Sequence, residues 1–458
     1  MNTPARLTEG PVLRSLAALT FPMLGGIFAV IAFNFADTYF VAQLGTRQLA
    51  AMSFTFPVVM VPIGIAFGLG TGTTAVVSQA IGRGDRSTIK RLASDSLSLS
   101  FLTVLFFSVI GMLTIDPLFT LLGAPPDILP LIRDYMMIWY PGMVFLVVPM
   151  VANANIRASG DTKLPALIMG IATLFNIILD PILIFGWYGA PRMELQGAAL
   201  STVIARGGAM IGALLILHFR DRLIDFRTPT LRDVWNSWKQ IGHIAIPASA
   251  TNILQPIGLA VVTRIIAVQG PAAVAAWGAG SRVTAFSLIP VFALCSALVP
   301  FVGQNWGAKQ FDRVHLAKRY AHRFAFVWGV LVAAALHFLA SPVAALFSTE
   351  PEVVSEIIRY LWIIPFGYAL VGIFSVTEET LNAIGRPIIA SVQTLIHMFL
   401  FYVPFAFAGS HFYGVVGLLS GLALADILGG LVGLSLSRLM CRRGERECFA
   451  AVAEKEAV

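Results

Sequence analysis

Charged residues are scarce in this chain of 458 residues. Only 12% are Asp, Glu, Lys or Arg, whereas 57% are hydrophobic, and charged residues make up about a quarter of an average soluble domain. The mean hydropathy is correspondingly high, at +0.81. So little charge cannot cover the surface of a soluble domain in water. The composition therefore excludes a soluble globular protein and predicts an integral membrane protein.

Cysteine and the common catalytic motifs are also nearly absent. The three cysteines, Cys295, Cys441 and Cys448, have no metal-binding spacing, and the last two fall in a predicted cytoplasmic tail, where disulfides are rare. The chain contains no HExxH helix, CxxC pair, nucleophile elbow or Walker loop, and GRGD at 82–85 has neither the length nor the lysine of a phosphate loop. We therefore expect neither an enzyme nor an ATP-driven pump, and no cofactor.

Long apolar runs are what the sequence has in abundance. A helix needs about 20 mostly apolar residues to cross a bilayer, and none of these runs alternates in polarity as the strands of a membrane barrel do. The runs, numbered spans 1–12, lie near 15–41, 49–78, 92–115, 128–153, 163–186, 195–219, 240–268, 272–302, 320–341, 352–377, 387–409 and 413–438. The sequence predicts an all-α polytopic membrane protein with twelve transmembrane helices.

The basic residues are distributed unevenly between the two sides of the predicted membrane. If the N-terminus is cytoplasmic, 24 of the 31 Lys and Arg residues lie in the tails and the even-numbered loops. The outer loops hold four: Arg47, Arg133, Arg192 and Arg359. Because cytoplasmic loops carry an excess of Lys and Arg, we expect both termini in the cytoplasm. The net charge of +7 then reflects topology, and no nucleic-acid partner is expected.

The two halves of the chain resemble each other. Sliding the chain on itself by 225 residues places Gly45 on Gly270 and Gln79 on Gln304. Six spans per half enter the membrane in the same direction, so we expect two six-helix bundles related by a pseudo-two-fold axis along the membrane normal, with the substrate path between them. The expected parts are an N-terminal lobe (1–220), a cytoplasmic linker (221–239) that is amphipathic or simply solvated, a C-terminal lobe (240–440) and a cytoplasmic tail (441–458).

Two carboxylates fall inside predicted spans of the N-terminal lobe. At 1.5 Å per helical residue, Asp37 lies about 30 Å along span 1 and Asp180 about 25 Å along span 5. A charge at mid-bilayer costs at least about 2.5–3.5 kcal/mol on insertion scales, which makes each acid a functional candidate. Asn176 lies one turn before Asp180 on the same helix face. We expect these three side chains to meet in the outer half of the lobe.

Each acid also has a plainer interpretation. For Asp37, the alternative is a solvated residue at the end of a helix, although the helix dipole disfavours a carboxylate there. Asp180 precedes Pro181, so its alternative role is to hydrogen-bond backbone groups left unpaired where the helix breaks. The equivalent positions in the second half are all apolar: Val262, Phe399 and Val403. Chemistry that needs a carboxylate is therefore expected in the N-terminal lobe alone.

A proline lies inside span 1, fifteen residues before Asp37. An interior proline removes one backbone hydrogen bond and favours a kink. We expect Pro22 to act as a hinge in the helix that carries an ionisable group; a static kink is the alternative.

Several other polar residues fall within spans, and the sequence leaves their roles open. Arg206 and Asp426 occupy equivalent positions of the repeat, in spans 6 and 12. We expect Asp426 to pair with Arg282 of span 8, and His397 to be a hydrogen-bonded core residue. The adjacent acids Glu378 and Glu379, near the inner end of span 10, are expected at the membrane interface.

Four motifs, taken in order, resemble those of the MATE (multidrug and toxic compound extrusion) transporters. They are ADTYFVAQLG (36–45), RASGDTKLP (157–165), FNIILDPILIFG (175–186) and GQNWGA (303–308). The resemblance covers nearly the whole chain and is closest to the bacterial DinF-like branch. It implies proton or Na⁺ coupling at Asp37, Asn176 and Asp180. It also implies a substrate cavity that includes the following residues: Asn34, Tyr140, Asn153, Met169 and Thr202.

One departure from the wider family bears on the coupling site. The NorM-like branch carries a carboxylate in span 7 for a second-lobe cation site, whereas span 7 here has Gln255 and Arg264 but no acid. The resemblance therefore favours a cation site in the N-terminal lobe.

The function expected from residues and resemblance together is secondary active multidrug efflux. The protein would be a monomer in the bacterial inner membrane, exporting amphipathic or cationic small molecules in exchange for H⁺ or Na⁺ by alternating access. The alternative is a flippase for a lipid-linked saccharide, because Arg206, Arg264 and Arg282 offer cations for a pyrophosphate group. A channel is disfavoured by the lack of an acid ring or filter loop.

Overall fold

The computed structural model of the chain describes residues 7–225 and 230–456, with side chains as far as Met440. All regular elements in these ranges are helical. The α-helices are α1 (Val12–Ala42), α2 (Thr46–Arg83), α3 (Arg86–Leu113), α4 (Ile115–Leu121), α5 (Leu129–Gly142), α6 (Val144–Ala158), α7 (Lys163–Phe185), α8 (Glu194–Leu215), α9 (Leu231–Ala267), α10 (Pro271–Gly307), α11 (Phe311–Ala345), α12 (Pro351–Ile363), α13 (Tyr368–Ala383), α14 (Pro387–Leu395) and α15 (Val403–Glu456). Segments of 3₁₀-helix lie at Trp187–Gly189 and Ile364–Gly367, and segments of π-helix lie at Ile216–Arg220 and Ile396–Tyr402.

Eleven helical stretches in the described ranges are long and apolar enough to cross a membrane. The last, Pro387–Met440, has 54 residues and would extend about 80 Å as one helix, far more than the bilayer core of about 30 Å. Its backbone leaves helical geometry at Tyr413 and at Gly414, where φ is 60° and ψ is −142°. The break divides the stretch into spans 11 and 12, so the prediction of an all-helical protein with twelve spans is confirmed.

The chain packs into two compact units. The first contains Phe21–Ser249, and the second contains Leu7–Thr20 together with the chain from Ala250 onward. Both α1 and α9 are therefore divided, since the beginning of each belongs to a different unit from its end. The lobe and linker boundaries expected from the sequence stay a prediction, and residues 226–229 of that linker lie outside the described residues.

Within the second unit, the GQNWGA motif holds the segment that precedes α1. The Leu7 N–H donates to Gln304 Oε1 at 3.1 Å, and Asn305 Nδ2 donates to the Leu7 carbonyl at 3.1 Å. Arg313 donates from Nη1 to the Gly10 carbonyl at 2.7 Å and from Nη2 to the Leu7 carbonyl at 3.1 Å. These bonds fix the start of α1.

Within the first unit, small residues let the beginning of α9 approach α2 closely. A Cβ at Gly72 would lie 2.8 Å from the Ile241 carbonyl oxygen, and one at Gly68 would lie 2.6 Å from the Ala245 carbonyl oxygen. Such contacts leave no room for a side chain and are typical of helix crossings in membranes. The indole N–H of Trp238 adds a hydrogen bond to the Asp95 carbonyl at 3.1 Å.

The RASGDTKLP motif forms the turn between α6 and α7. The Asp161 carboxylate accepts from the backbone N–H groups of Lys163 at 2.9 Å and Leu164 at 3.2 Å, and from Arg220 Nη2 at 2.8 Å. Burial raises the pKa of Asp161, but these hydrogen bonds outweigh that effect and hold the pKa below its ordinary value. The turn thereby caps the helix that carries Asn176 and Asp180.

Candidate functional site

Helix α7 presents Asn176 and Asp180 on one face, and both are completely buried, with 0% exposure. Asn176 Nδ2 donates to Asp180 Oδ1 at 3.1 Å, as expected for residues one helical turn apart. The helix continues through Pro181 to Phe185. Asp180 is thus held within a continuous helix, not at a broken helix end.

Helix α8 adds a hydroxyl group to this pair. The Ser201 Oγ–H donates to Asp180 Oδ1, and Asn176 Nδ2 also lies 3.4 Å from Ser201 Oγ. Two donors therefore converge on one carboxylate oxygen of this buried acid. Nothing in the sequence singled out Ser201, because a serine in an apolar helix is common.

Helix α1 brings Asp37 to the same place. The side chain is buried, with 8% exposure, and Asp180 and Arg206 are the charged groups that act on its carboxylate. Thr173 Oγ–H fastens α7 to α1 by donating to the Ala29 carbonyl at 3.0 Å. Both acids are buried, and Asp180 is close enough to act electrostatically on Asp37. Their joint role in coupling stays a prediction.

Arg206 and Tyr135 complete this cluster. The Arg206 guanidinium of α8 lies over the Phe33 ring of α1, 4.7 Å from its centroid, a favourable cation–π geometry. The buried Tyr135 of α5 lies within the electrostatic reach of Asp37, Asp180 and Arg206. The net charge of the cluster would be −1 if both carboxylates and the guanidinium were ionised, and zero once one carboxylate takes up a proton.

Three buried oxygens of the cluster have no hydrogen-bond donor in the described part of the chain. They are Asp37 Oδ1, Asn176 Oδ1 and Asp180 Oδ2. Buried polar atoms are nearly always hydrogen-bonded, so an exception needs an explanation. Acceptors beside a net negative charge suit either added protons or a hard cation such as Na⁺, whose ligands are oxygens.

Tyr140 contacts helix α3. Its ring packs against Gly111 of α3, where a Cβ would lie 2.2 Å from the ring, and its carbonyl accepts from Ser108 Oγ at 2.8 Å. Tyr135, at the preceding part of α5, is the tyrosine that faces the acids. The resemblance pointed to one tyrosine of α5 and the structure groups another with Asp37.

The remaining residues expected in a substrate cavity differ in exposure. Asn34 is exposed on α1, three residues before Asp37, and Thr202 is half-buried beside Ser201. Asn153 of α6 is 6% exposed, and its Oδ1 has no donor. Met169 lies beside Gly26, whose Cβ would be 3.9 Å from its sulfur. In the described part of the chain no hydrogen bond joins these four residues to Asp37 or Asp180, so their part in a cavity stays a prediction.

In the second unit, the expected pairing of Asp426 with Arg282 is wrong. Asp426 does not pair with Arg282: His397 Nε2 lies 3.1 Å from Asp426 Oδ1, because the rotation of spans 11 and 12 brings these two side chains together. His397 is the hydrogen-bonded residue that the sequence predicted. Glu378 and Glu379 are half-buried, a few residues before α13 ends at Ala383.

Both halves of the chain match a known protein family. The MatE family model matches twice, at residues 22–182 and 247–408, with starts separated by the same 225 residues at which the chain aligns with itself. The chain belongs to the MATE family of transporters. It is accordingly a multi-pass membrane transporter and not an enzyme.

Relatives of known structure or name agree with this assignment. The Vibrio cholerae MATE transporter VcmN in its bent form is 32% identical, with a TM-score of 0.90 over 94% of this chain and 98% of that one. A Shewanella oneidensis protein named FAD transporter is 39% identical over 95% of this chain and 96% of its own length. The Bacillus subtilis probable multidrug resistance protein YoeA is 26% identical over 81% of this chain and 80% of its own.

Proposed function

We propose that this MATE-family protein is a secondary active exporter that exchanges an amphipathic small molecule for H⁺ or Na⁺ by alternating access. It would act as a monomer in the bacterial inner membrane, with both termini in the cytoplasm. The observation that carries the proposal is the buried cluster of Asp37, Asp180 and Arg206, in which three oxygens have no donor among the described residues.

The charge count indicates what this cluster binds. Burying an uncompensated charge is costly, so a cluster of net charge −1 favours uptake of one monovalent cation, which brings the net charge to zero. A proton would add to the Asp37 or Asp180 carboxylate, whereas Na⁺ would take the three unsatisfied oxygens as ligands. Either ion would alter the electrostatics of α1, α7 and α8 at the point where they meet.

The cation supplies enough energy to drive export. One positive charge that moves inward through 100 mV releases about 2.3 kcal/mol. Because a tenfold concentration ratio corresponds to about 1.4 kcal/mol, one coupled charge supports roughly a 50-fold gradient of an uncharged solute.

Helix α1 is the element that we expect to move. It carries Asp37 in the first unit, while its residues as far as Thr20 belong to the second, and Pro22 lies immediately beyond that boundary. The helix is continuous through Pro22 in this structure, which lacks one intrahelical bond there. Cation binding at Asp37 would therefore shift α1 between a straight form and a form bent at Pro22.

The substrate class has two candidates. Relatives named as multidrug proteins favour amphipathic, often cationic, compounds, which a negatively charged cluster would attract. The relative named FAD transporter favours an anionic dinucleotide. Arg282 supports the second candidate: it is exposed on α10 about 16 Å from the helix start, and charges at such depth face water-filled cavities, where a guanidinium pairs well with phosphate.

Transport by purified protein in vesicles tests the proposal. A proton gradient and a Na⁺ gradient are imposed separately, with a fluorescent hydrophobic cation and FAD as substrates. We expect one gradient to drive export, Asp37→Asn to abolish it, and the exposed acid variant Asp116→Asn to leave it unchanged. Full cation-driven export by Asp37→Asn would refute the proposal.

The same vesicles separate the substrate classes. Arg282→Gln should lower transport of FAD but not of the hydrophobic cation if the anionic substrate is the physiological class. Binding of a lipid-linked saccharide, with no transport of either soluble compound, would instead indicate a flippase.

A further inference from the structure

The second unit contains a buried ionisable pair that the coupling site does not use. The His397 and Asp426 side chains are 14% and 10% exposed, with 3.1 Å between His397 Nε2 and Asp426 Oδ1. Asp426 follows the break at Gly414 by twelve residues, or about 18 Å of helix, which places the pair near the middle of the bilayer. An intramembrane ionisable residue is costly and marks a functional site by default.

The surroundings hold the imidazole in place. The rings of Phe374 and Tyr402 lie 4.9 and 5.6 Å from the His397 ring, and a Cβ at Gly429 would lie 2.4 Å from His397 Cδ2. His397 also lies in the π-helical stretch Ile396–Tyr402, and such wide turns occur frequently at functional sites. The pair is therefore built into the unit, with little room to rearrange.

A chain of hydroxyl groups leads towards the pair. Thr284 Oγ1 is 2.9 Å from the Tyr360 hydroxyl and 2.6 Å from the Tyr368 hydroxyl. A hydroxyl both donates and accepts, so these three groups can pass a proton along. The backbone of Gly367, which precedes Tyr368, approaches the Asp426 side chain, since a Cβ there would lie 3.1 Å from Asp426 Oδ2. The Tyr368 hydroxyl itself bonds to Thr284. Asp426 also acts electrostatically on both tyrosines.

The other end of this chain borders a cleft. The cleft is small, about 10 Å³, and Tyr360 lines it together with Gln269, Trp277 and Glu356. Gln269 follows the end of α9, and Glu356 lies near the start of α12. Both of these positions are at the ends of spans that the sequence assigns to the outer side of the membrane.

Proton binding would relieve a buried net charge. With His397 neutral and Asp426 ionised, the pair carries −1; one proton on either group makes it neutral, which burial favours. The titratable groups that face Asp426 are His397, Tyr360, Tyr368 and Tyr402. In the described residues, His397 is the group whose charge acts on Asp426, so no lysine or arginine compensates it.

We propose that His397 and Asp426 form a second proton-binding site, loaded from the outer side through Tyr360, Thr284 and Tyr368. Imidazole takes a proton but offers no second anionic ligand for Na⁺, so this site is specific for H⁺. The contribution of this site to transport rests on the function proposed above, whereas proton binding by the pair is independent of that function.

The test counts protons on purified full-length protein in lipid nanodiscs carrying Asp37→Asn, which removes the first-unit acid. The sample is moved from about pH 8 to about pH 5, the range in which histidine titrates. We expect His397→Gln to lower the uptake by about one proton per molecule and to remove an imidazolium band from the infrared difference spectrum. Unchanged uptake and spectrum in both His397→Gln and Asp426→Asn would overturn the proposal.

The rate of uptake tests the path without disturbing the pair. Thr284→Val should slow protonation of His397 at least tenfold, whereas Thr284→Ser should restore it. Ser281→Ala is the matched control, because the Ser281 hydroxyl donates to the carbonyl of Gly278 in the same helix. An unchanged rate in Thr284→Val would refute the path.

The two proposals fail separately. Normal cation-driven export by Asp37→Asn would refute the coupling function while leaving proton uptake by the pair intact. Absence of that uptake, with Asp37→Asn inactive in transport, would refute the second site alone.

Discussion

The net charge of the first-unit cluster predicts that Asp180→Asn abolishes cation uptake and that a second substitution restores it. Asp180→Asn keeps the shape of the side chain and the oxygen that accepts from Ser201, but it raises the net charge of the cluster from −1 to zero. With nothing to neutralise, the cluster should no longer take up its cation. Adding Arg206→Gln to Asp180→Asn removes one positive charge and returns the count to −1 through Asp37.

The expected loss of substrate accumulation follows from the loss of one coupled charge. At a membrane potential of 100 mV, one coupled charge is worth about 2.3 kcal/mol, so Asp180→Asn should lower the maximal accumulation of an uncharged substrate by roughly 50-fold. The double variant should recover most of this factor. Because the prediction is a ratio between variants, it holds whether or not a second proton enters through His397 and Asp426.

The assay is accumulation in vesicles at a fixed potassium diffusion potential, with protein incorporation matched between samples. Asp116→Asn, which removes an exposed acid paired with Arg133, serves as the control and should match the unmodified protein. A double variant that accumulates no more substrate than Asp180→Asn alone would refute the charge count. So would Asp180→Asn with full accumulation.

Three further predictions concern the hinge, the packing and the α6–α7 turn. Pro22→Ala strengthens a helix in which interior proline costs about 3 kcal/mol, so vesicle transport should slow at least tenfold while cation binding by the detergent-purified variant persists. Gly72→Ala places a Cβ 2.8 Å from the Ile241 carbonyl oxygen, and the overpacking should cost about 1–3 kcal/mol, seen as a lower melting temperature that Gly212→Ala does not show. The pKa of Asp161 is lowered in the folded protein, so its ionised carboxylate stabilises the folded state. This contribution is complete above the ordinary aspartate pKa and is lost as pH falls through the lowered pKa. Asp161→Asn should therefore melt earlier at neutral pH and converge with the unmodified protein in acid.

The spans and the coupling acids could be predicted because the physics that fixes them is local. Twenty apolar residues demand a helix in a bilayer, and even the division between spans 11 and 12 was placed within a few residues of the break at Gly414. Asn176 and Asp180 share a face because they are four residues apart. Their rarity in such apolar surroundings singled them out.

The partners of these residues depend on how helices are rotated against each other, which no single span records. Ser201 and Tyr135 look ordinary in sequence, and both belong to the cluster around the acids. Arg206 and Asp426 occupy equivalent positions of the repeat, yet their surroundings differ. Arg206 acts electrostatically on Asp37, whereas Asp426 hydrogen-bonds to His397. The expected pair of Asp426 and Arg282 was wrong for this reason, since similar depth does not establish contact.

The most direct test of the central claim is a count of cations bound at equilibrium by purified protein, with radioactive Na⁺ and proton uptake measured in parallel. If Asp37 and Asp180 form one site, Asp37→Asn and Asp180→Asn must each remove the same single cation, and combining them must remove no more. A cation lost in one variant but retained in the other, or two cations lost in the double variant, would show that the acids act separately and would contradict the account.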